Sequence, residues 1–313
     1  MKRRILVTGG AGFIGSHTVD ALLAAGYEVH VLDDLSKGQV TNVPHGVPLH
    51  VADIAGDAVN RVFAVHRFDA VVHCAAQTNV MRSVADPALD RRINIDGLRS
   101  VLDAAVAHGC GRFVFISSGG AVYGETQAPA NESATPRPGN PYGRHKLEGE
   151  AIVEGAPISS VTLRLSNVYG PRQRSDSEGG VISIFTDRLA SGQPLQVYGD
   201  GAQQRDFVHV ADVVAAIELA LDDPAMTGVW NVGTGRPTSV NEVQRLMSAA
   251  FHATAPIEHL PARGEIRRSC LDVSKLTATG RWSPQYDLTA GIAQLAASLA
   301  AAARVDGAIV AAR

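Results

Sequence analysis

The chain has 313 residues, enough for one large domain or two lobes, and its 45% hydrophobic and 19% charged residues are those of a soluble globular protein. A net charge of -3 gives no sign of a nucleic-acid-binding surface, and apolar runs break within about a dozen residues, short of the roughly 20 of a membrane span, so no transmembrane span is expected. Three dispersed cysteines, Cys74, Cys110 and Cys270, offer neither a metal spacing nor a disulfide framework and fit a reducing, cytoplasmic setting.

Lys2-Arg3-Arg4 before Ile5-Leu6-Val7 imitates a signal peptide, but the apolar part stops at Thr8-Gly9-Gly10 and reads as a first strand. Gly9, Gly10, Gly12 and Gly15 then open a helix predicted over 13–25. A glycine-rich turn between a buried strand and a helix is a phosphate site made of backbone: the chain approaches a pyrophosphate closely and the helix end offers free N–H groups. The spacing Gly10-x-Gly12-x-x-Gly15 is the general dinucleotide fingerprint, a weak signal taken alone.

The first half continues to alternate. Strands are predicted at 28–32, 47–51, 70–73 and 112–116, and helices at 55–65 and 88–108. This pattern implies parallel pairing through right-handed crossovers and an α/β, doubly wound sheet whose ligands gather at the carboxyl ends of the strands. Asp33 sits at such an end. Its carboxylate can accept both adenosine ribose hydroxyls and repel a 2′-phosphate, favouring NAD over NADP, or it can cap a turn together with Asp34. Lys37 nearby weakens that discrimination. Asp53 and Ile54 follow the third strand and suit an adenine edge and face. Cys74-Ala75-Ala76-Gln77 follows the fourth with small residues fit to lie against a cofactor, while His73 reads equally well as a satisfied strand-end histidine.

Tyr142-Gly143-Arg144-His145-Lys146 follows Asn140 as a cap and Pro141 as a first-turn residue, on a helix predicted to run through Glu154. Tyr142 and Lys146 share one helix face. A phenol with an ordinary pKa near 10 needs such an ammonium to become a base at neutral pH. After 165 the character changes to shorter elements and turns, ending in an alanine-rich helix and tail over 296–313.

These motifs, with Ser117-Ser118-Gly119-Gly120-Ala121-Val122-Tyr123-Gly124, Asn167-Val168-Tyr169-Gly170-Pro171-Arg172 and Arg205-Asp206-Phe207-Val208-His209-Val210, resemble the extended short-chain dehydrogenase/reductases. Among these the chain is similar to the NAD-dependent sugar-nucleotide epimerases, over residues 5 to about 287. The resemblance implies a Rossmann-like NAD-binding half over 1–166, with 208–235 packing back on it, and a smaller UDP-sugar-binding lobe over 167–313. It implies a UDP-hexose 4-epimerase of the UDP-glucose type, working through a transient 4-keto sugar. Relatives acting on UDP-glucuronate or UDP-N-acetylglucosamine, and a non-catalytic NAD-binding regulator, stand as alternatives.

By resemblance Tyr142 is the base, Lys146 holds the nicotinamide ribose, and Gly9, Gly12, Phe13, Ile14, Gly15, Asp34, Lys37 and Asn94 join the cofactor contacts. Asn167, Arg174, Val181, Gln196, Val197, Tyr198, Arg205, Arg263 and Glu265 would meet the UDP-sugar, with Arg205 on phosphate rather than paired to Asp206. A homodimer through the helices over 88–108 and 142–154 is the family expectation. Two departures stand out. The family's Ser or Thr three residues before Val122 is Gly119 here, which leaves Ser118 to supply the hydroxyl. Arg263 directly precedes Gly264, where the family spaces its arginine one residue further away. Gly120-Ala121 also lacks the acids that dehydratases and decarboxylases of this family carry, so elimination chemistry is not expected.

Overall fold

β1 (Arg4–Thr8) buries Ile5, Leu6 and Val7 completely, which gives it an apolar residue for each face of a sheet. It leads into α1 (Phe13–Ala24), β2 (Glu28–Asp33), β3 (Leu49–Val51), α2 (Ala58–His66) and β4 (Ala70–His73). Then come α3 (Val80–Ala85), α4 (Pro87–Arg91), a π-helical turn (Arg92–Gly97) and α5 (Leu98–Ala107). β5 (Arg112–Ser118), α6 (Gly119–Tyr123), α7 (Pro141–Glu154) and β6 (Ser160–Leu165) complete the first half. The second half holds β7 (Asn167–Tyr169), α8 (Val181–Ala190), β8 (Leu195–Tyr198), β9 (Gln204–His209), α9 (Val210–Asp222) and β10 (Gly228–Val232). It ends with β11 (Pro237–Ser239), α10 (Val240–Ala250), β12 (Ile257–Leu260), β13 (Arg268–Ser269), α11 (Ser274–Thr277) and α12 (Leu288–Ala311). The computed structural model describes residues 2–176, 180–253, 255–262, 264 and 266–311, with side chains up to 301.

Among the described residues the main sheet has seven strands in the order β3-β2-β1-β4-β5-β6-β10, all paired in parallel. The fold is an α/β, Rossmann-like doubly wound sheet. Strand order reverses between β1 and β4, and the crevice at their carboxyl ends is where such sheets take ligands. Val7, Val31, Val72, Val114 and Leu163 pack one face against Val19 and Leu22 of α1 and Val213 and Ile217 of α9. Leu6, Leu32, Val71, Phe113 and Phe115 pack the other against Phe63 of α2, Val101 and Leu102 of α5 and Val153 of α7.

The chain leaves the sheet after β6 and returns through α9 and β10, which pairs with β6. Outside the sheet, β9 pairs with β7, β11 and β13, and β8 pairs with β12. Helices α8, α10 and α12 close over these strands around Phe185, Leu195, Met247 and Ile292.

Several element bounds differ from those expected, each for a local reason. The strand expected from 47 begins at Leu49, because Pro48 has no N–H for a ladder. The helix expected from 55 begins at Ala58, because the Asp53 carboxylate takes the Ala55 N–H (2.8 Å) and turns the chain first. The helix expected over 88–108 is α4, the π turn and α5 in succession. The last helix starts at Leu288 rather than 296, since Asp287 caps it by accepting the Ala290 N–H at 2.7 Å.

Candidate active site

The glycine turn folds as tightly as its composition permits. Gly9 has φ +67°, and a Cβ built on it would lie 2.7 Å from the Ala75 nitrogen. A Cβ on Gly15 would lie 2.1 Å from the Gly9 carbonyl oxygen. The turn is thus pressed against β4's exit on one side and against the first turn of α1 on the other. α1 opens at Gly12 with no side-chain cap, so the first-turn amides of Phe13, Ile14 and Gly15 are of the kind a helix cannot satisfy internally.

Asp33, 6% exposed, reaches back across the crevice. One carboxylate oxygen accepts the Ala11 N–H (3.0 Å) and the other the Leu35 N–H (2.9 Å). It therefore fixes the glycine turn as well as its own loop, and each oxygen keeps a second lone pair for a further donor. Burial pushes its pKa up, and these two N–H groups oppose that rise. Asp34 accepts the Ser36 N–H and hydroxyl, and Lys37 donates to the Asp176 carbonyl. Asp53 pairs with Arg92, and the Ile54 side chain packs on Gly97, whose Cβ would meet it at 2.6 Å. Ile54 belongs to the core by side chain because Gly97 admits it there.

The floor after β4 is held by two devices. His73, stacked against Phe113 and Phe115, bonds Thr8 Oγ1 at 2.9 Å, and that hydroxyl accepts the Ala75 N–H. Burial, and then the Lys146 charge, hold His73 down at about 3, so it is neutral and structural. The second device is reciprocal. Asn94, in the π turn, accepts the Gln77 N–H (3.1 Å) and donates to the Gln77 carbonyl (2.9 Å), while Gln77 donates to the buried Asp90. Cys74, Ala75 and Ala76 between them are half-buried.

Tyr142 and Lys146 lie on one face of α7, 8% and 5% exposed. Asn140 caps the helix by accepting the Gly143 N–H at 2.8 Å. A Cβ on Gly143 would meet the Ala121 carbonyl oxygen at 2.4 Å, so glycine there lets α7 close on the segment after β5. Lys146 Nζ donates to the Ile116 carbonyl (2.9 Å) and sits 6.0 Å from the Tyr142 ring centroid. Burial lowers its pKa to about 8, against the pull of the groups Cys74, Asp90 and Glu150. Ser118 ends β5 and does not spend its hydroxyl on capping α6. At Gly119 a Cβ would point at the Leu271 methyls, 2.7 Å away, so a hydroxyl at that position would meet an apolar side chain.

On the other side of the crevice, Asn167 is exposed and Val181 starts α8. In β8 Leu195 and Val197 face the lobe's core, while Gln196 and Tyr198 share the opposite face. The Val197 side chain thus belongs to the core, because strand side chains alternate. Gln196 links Arg188 (2.6 Å) and Glu258 (2.9 Å). Arg174 makes a two-point bridge to Asp176 on the exposed loop after β7. Arg205 donates to the Gln204 carbonyl, whereas Asp206 turns the other way and accepts from Thr234, Gly235 and Leu271. Arg263 and Glu265 lie outside the described residues.

The family described as "NAD dependent epimerase/dehydratase family" matches residues 5–233. This chain belongs to that family. It is 39% identical over 303 residues to a UDP-glucose 4-epimerase of Mycolicibacterium smegmatis, covering 93% of this chain and 96% of the relative. The UDP-glucose 4-epimerase of Thermus thermophilus, solved in complex with NAD, superposes with TM-score 0.90 at 41% identity, over 94% of this chain and 97% of that one. A UDP-glucose 4-epimerase of Thermotoga maritima, solved with UDP-glucose, gives TM-score 0.91 at 39% identity, over 96% and 99%.

The cofactor of this epimerase/dehydratase family is NAD, and the residues present fit it. The turn can close this tightly on the first turn of α1 only because Gly9 and Gly15 carry no Cβ, which leaves the free amides at the helix end for a pyrophosphate, and Asp33 retains acceptor capacity at the ribose end. One further network escaped sequence reading. The buried Glu150 accepts the Ser117 hydroxyl (2.5 Å) and a two-point pair from Arg164, which lies 4.7 Å over the Tyr123 ring. Glu150 stands four residues after Lys146 on the same face of α7, the one signal that would have pointed to it. No described helix is long and apolar enough to cross a membrane.

Proposed function

We infer that this chain is a UDP-hexose 4-epimerase interconverting UDP-glucose and UDP-galactose. The observation that carries this reading is the pair Tyr142 and Lys146 on α7, with the buried Lys146 ammonium held by Ile116 and 6.0 Å from the Tyr142 ring. Bound NAD supplies a hydride acceptor for carbon 4 of the sugar and returns the hydride, so no net oxidation results. Tyr142 takes the proton of the 4-hydroxyl and gives it back, and the Lys146 charge favours its phenolate form. Ser118 offers a hydroxyl at the end of β5 to share that proton. Gly119, Gly120 and Ala121 offer no carboxyl group for elimination.

Asn167, Tyr198 and Arg205 hold the nucleotide diphosphate while the keto sugar turns between its two faces. A homodimer through the outer faces of α5 and α7 fits a groove there lined by Leu102, Val106 and Ile152. Three free cysteines suit a reducing, cytoplasmic setting.

The test is incubation with UDP-glucose, UDP-galactose, UDP-glucuronate and UDP-N-acetylglucosamine, resolving the carbon-4 epimers. Interconversion of the first two, lost by at least ~10²-fold in Tyr142→Phe, is the expected result. Faster turnover of UDP-glucuronate would move the substrate assignment, with Arg174 as its carboxylate partner. No turnover of any sugar despite bound NAD would leave a regulator.

A further inference from the structure

Three histidines that the proposed reaction does not use meet on one face of the sheet, back from its ligand-bearing edge. They are His30 on β2, His50 on the edge strand β3, and His66, the last residue of α2. One ring nitrogen from each lies within 4.8 Å of the others. His30 Nδ1 and His50 Nε2 are 3.0 Å apart and their rings stack at 5.3 Å. The His66 ring lies 4.7 Å from that of His30 and 4.8 Å from that of His50. His30 is 4% exposed, and the other two are half-buried.

We propose that His30, His50 and His66 bind one divalent transition-metal ion, with zinc the best-suited class, leaving a fourth position to water. Four details of the surroundings support this. Nitrogens bound tetrahedrally at about 2.0–2.1 Å stand roughly 3.3 Å apart, close to the His30–His50 separation, so only the His66 ring must close in. The other nitrogen of His30, Nε2, is 3.5 Å from Glu28 Oε1, the carboxylate–histidine arrangement that orients a metal ligand from outside. His66 stands at the carboxyl end of α2, where the helix dipole favours a cation. Glu28 also pairs with Arg4, the nearby fixed positive charge, and offsets it.

Binding displaces the single proton shared between His30 and His50 and ties an edge strand to its neighbour and to a helix end. β2 ends three residues later at Asp33, roughly 10 Å along the strand, so the ion is a structural fastener beneath the cofactor crevice and not part of the chemistry.

The experiment uses untagged, full-length protein stripped with a chelator, titrated with Co(II) followed by its visible d–d absorption, and then with Zn(II) in competition. One equivalent of tetrahedral Co(II), displaced by Zn(II), is expected, with a higher melting temperature in Zn(II). Affinity should fall by ~10²-fold in His50→Ala and in His66→Gln, while the exposed His259→Ala retains it. Absence of stoichiometric binding, or binding unchanged in both variants, overturns the proposal. Unchanged UDP-sugar turnover in both variants checks that they fold.

Discussion

Lys146 owes its properties to where its ammonium is parked. Burial pulls its pKa down to about 8, yet the Ile116 carbonyl gives the charged form a partner. The group carries its proton below about pH 8 and loses it above. Its support for the Tyr142 phenolate is therefore present at neutral pH and fades as pH rises. Turnover should decline through about pH 8 in the native protein. Lys146→Met should be at least ~10²-fold slower at pH 7 and lack that decline, as a pH profile of kcat would show. Unchanged turnover in Lys146→Met would remove Lys146 from the mechanism. This pair was legible in the sequence because positions four apart on a helix face each other whatever surrounds them. The Ser117–Glu150–Arg164 network was not, because it requires β6 to lie beside β5, a fact of pairing rather than of spacing.

Among the elements, the turn between β1 and α1 depends on atoms that are absent. Gly15→Ala would place a methyl 2.1 Å from the Gly9 carbonyl oxygen, backbone against side chain with nothing flexible to yield. NAD binding measured by calorimetry should weaken by roughly 10-fold or more, about 1.4 kcal/mol. Gly139→Ala, with open space around the new methyl, should bind normally. The glycine spacing announced this turn from sequence. The π turn at Arg92–Gly97 was hidden, because the apolar pattern on either side reads as one continuous helix. Its wider turn presents the Asn94 amide to Gln77, a local irregularity of the sort found at functional sites. At Val197 and Ile54 a motif marks a stretch of backbone, whereas alternation and the opposing Gly97 decide which way each side chain points.

In the whole molecule the segments that build the seven-stranded sheet are interleaved with those that build the smaller sheets. Asp206, on β9, accepts N–H groups from Thr234 and Gly235 just beyond β10 and from Leu271, and so joins three distant parts of the chain. Asp206→Asn exchanges one acceptor oxygen for an N–H₂ facing other donors. It should cost roughly 1.5–3 kcal/mol, read as a lower urea midpoint. Fluorescence and circular dichroism should still trace one shared transition, and two separate transitions would show that the lobes are independent. The parallel sheet was readable from alternating strands and helices. The return of α9 and β10 to that sheet rested on resemblance, since nothing local in Gly228–Val232 names β6 as its partner.

That return has a consequence for synthesis. Translation delivers β6 long before β10, and everything from Asn167 to Thr227 must leave the ribosome in between. During that interval the nascent sheet has six strands and an open border at β6, with Val161, Leu163 and Leu165 beside unpaired N–H and C=O groups. The last strand of the cofactor sheet thus closes only after much of the second lobe has emerged, and a chain arrested before Gly228 exposes the edge best suited to pairing with a neighbour.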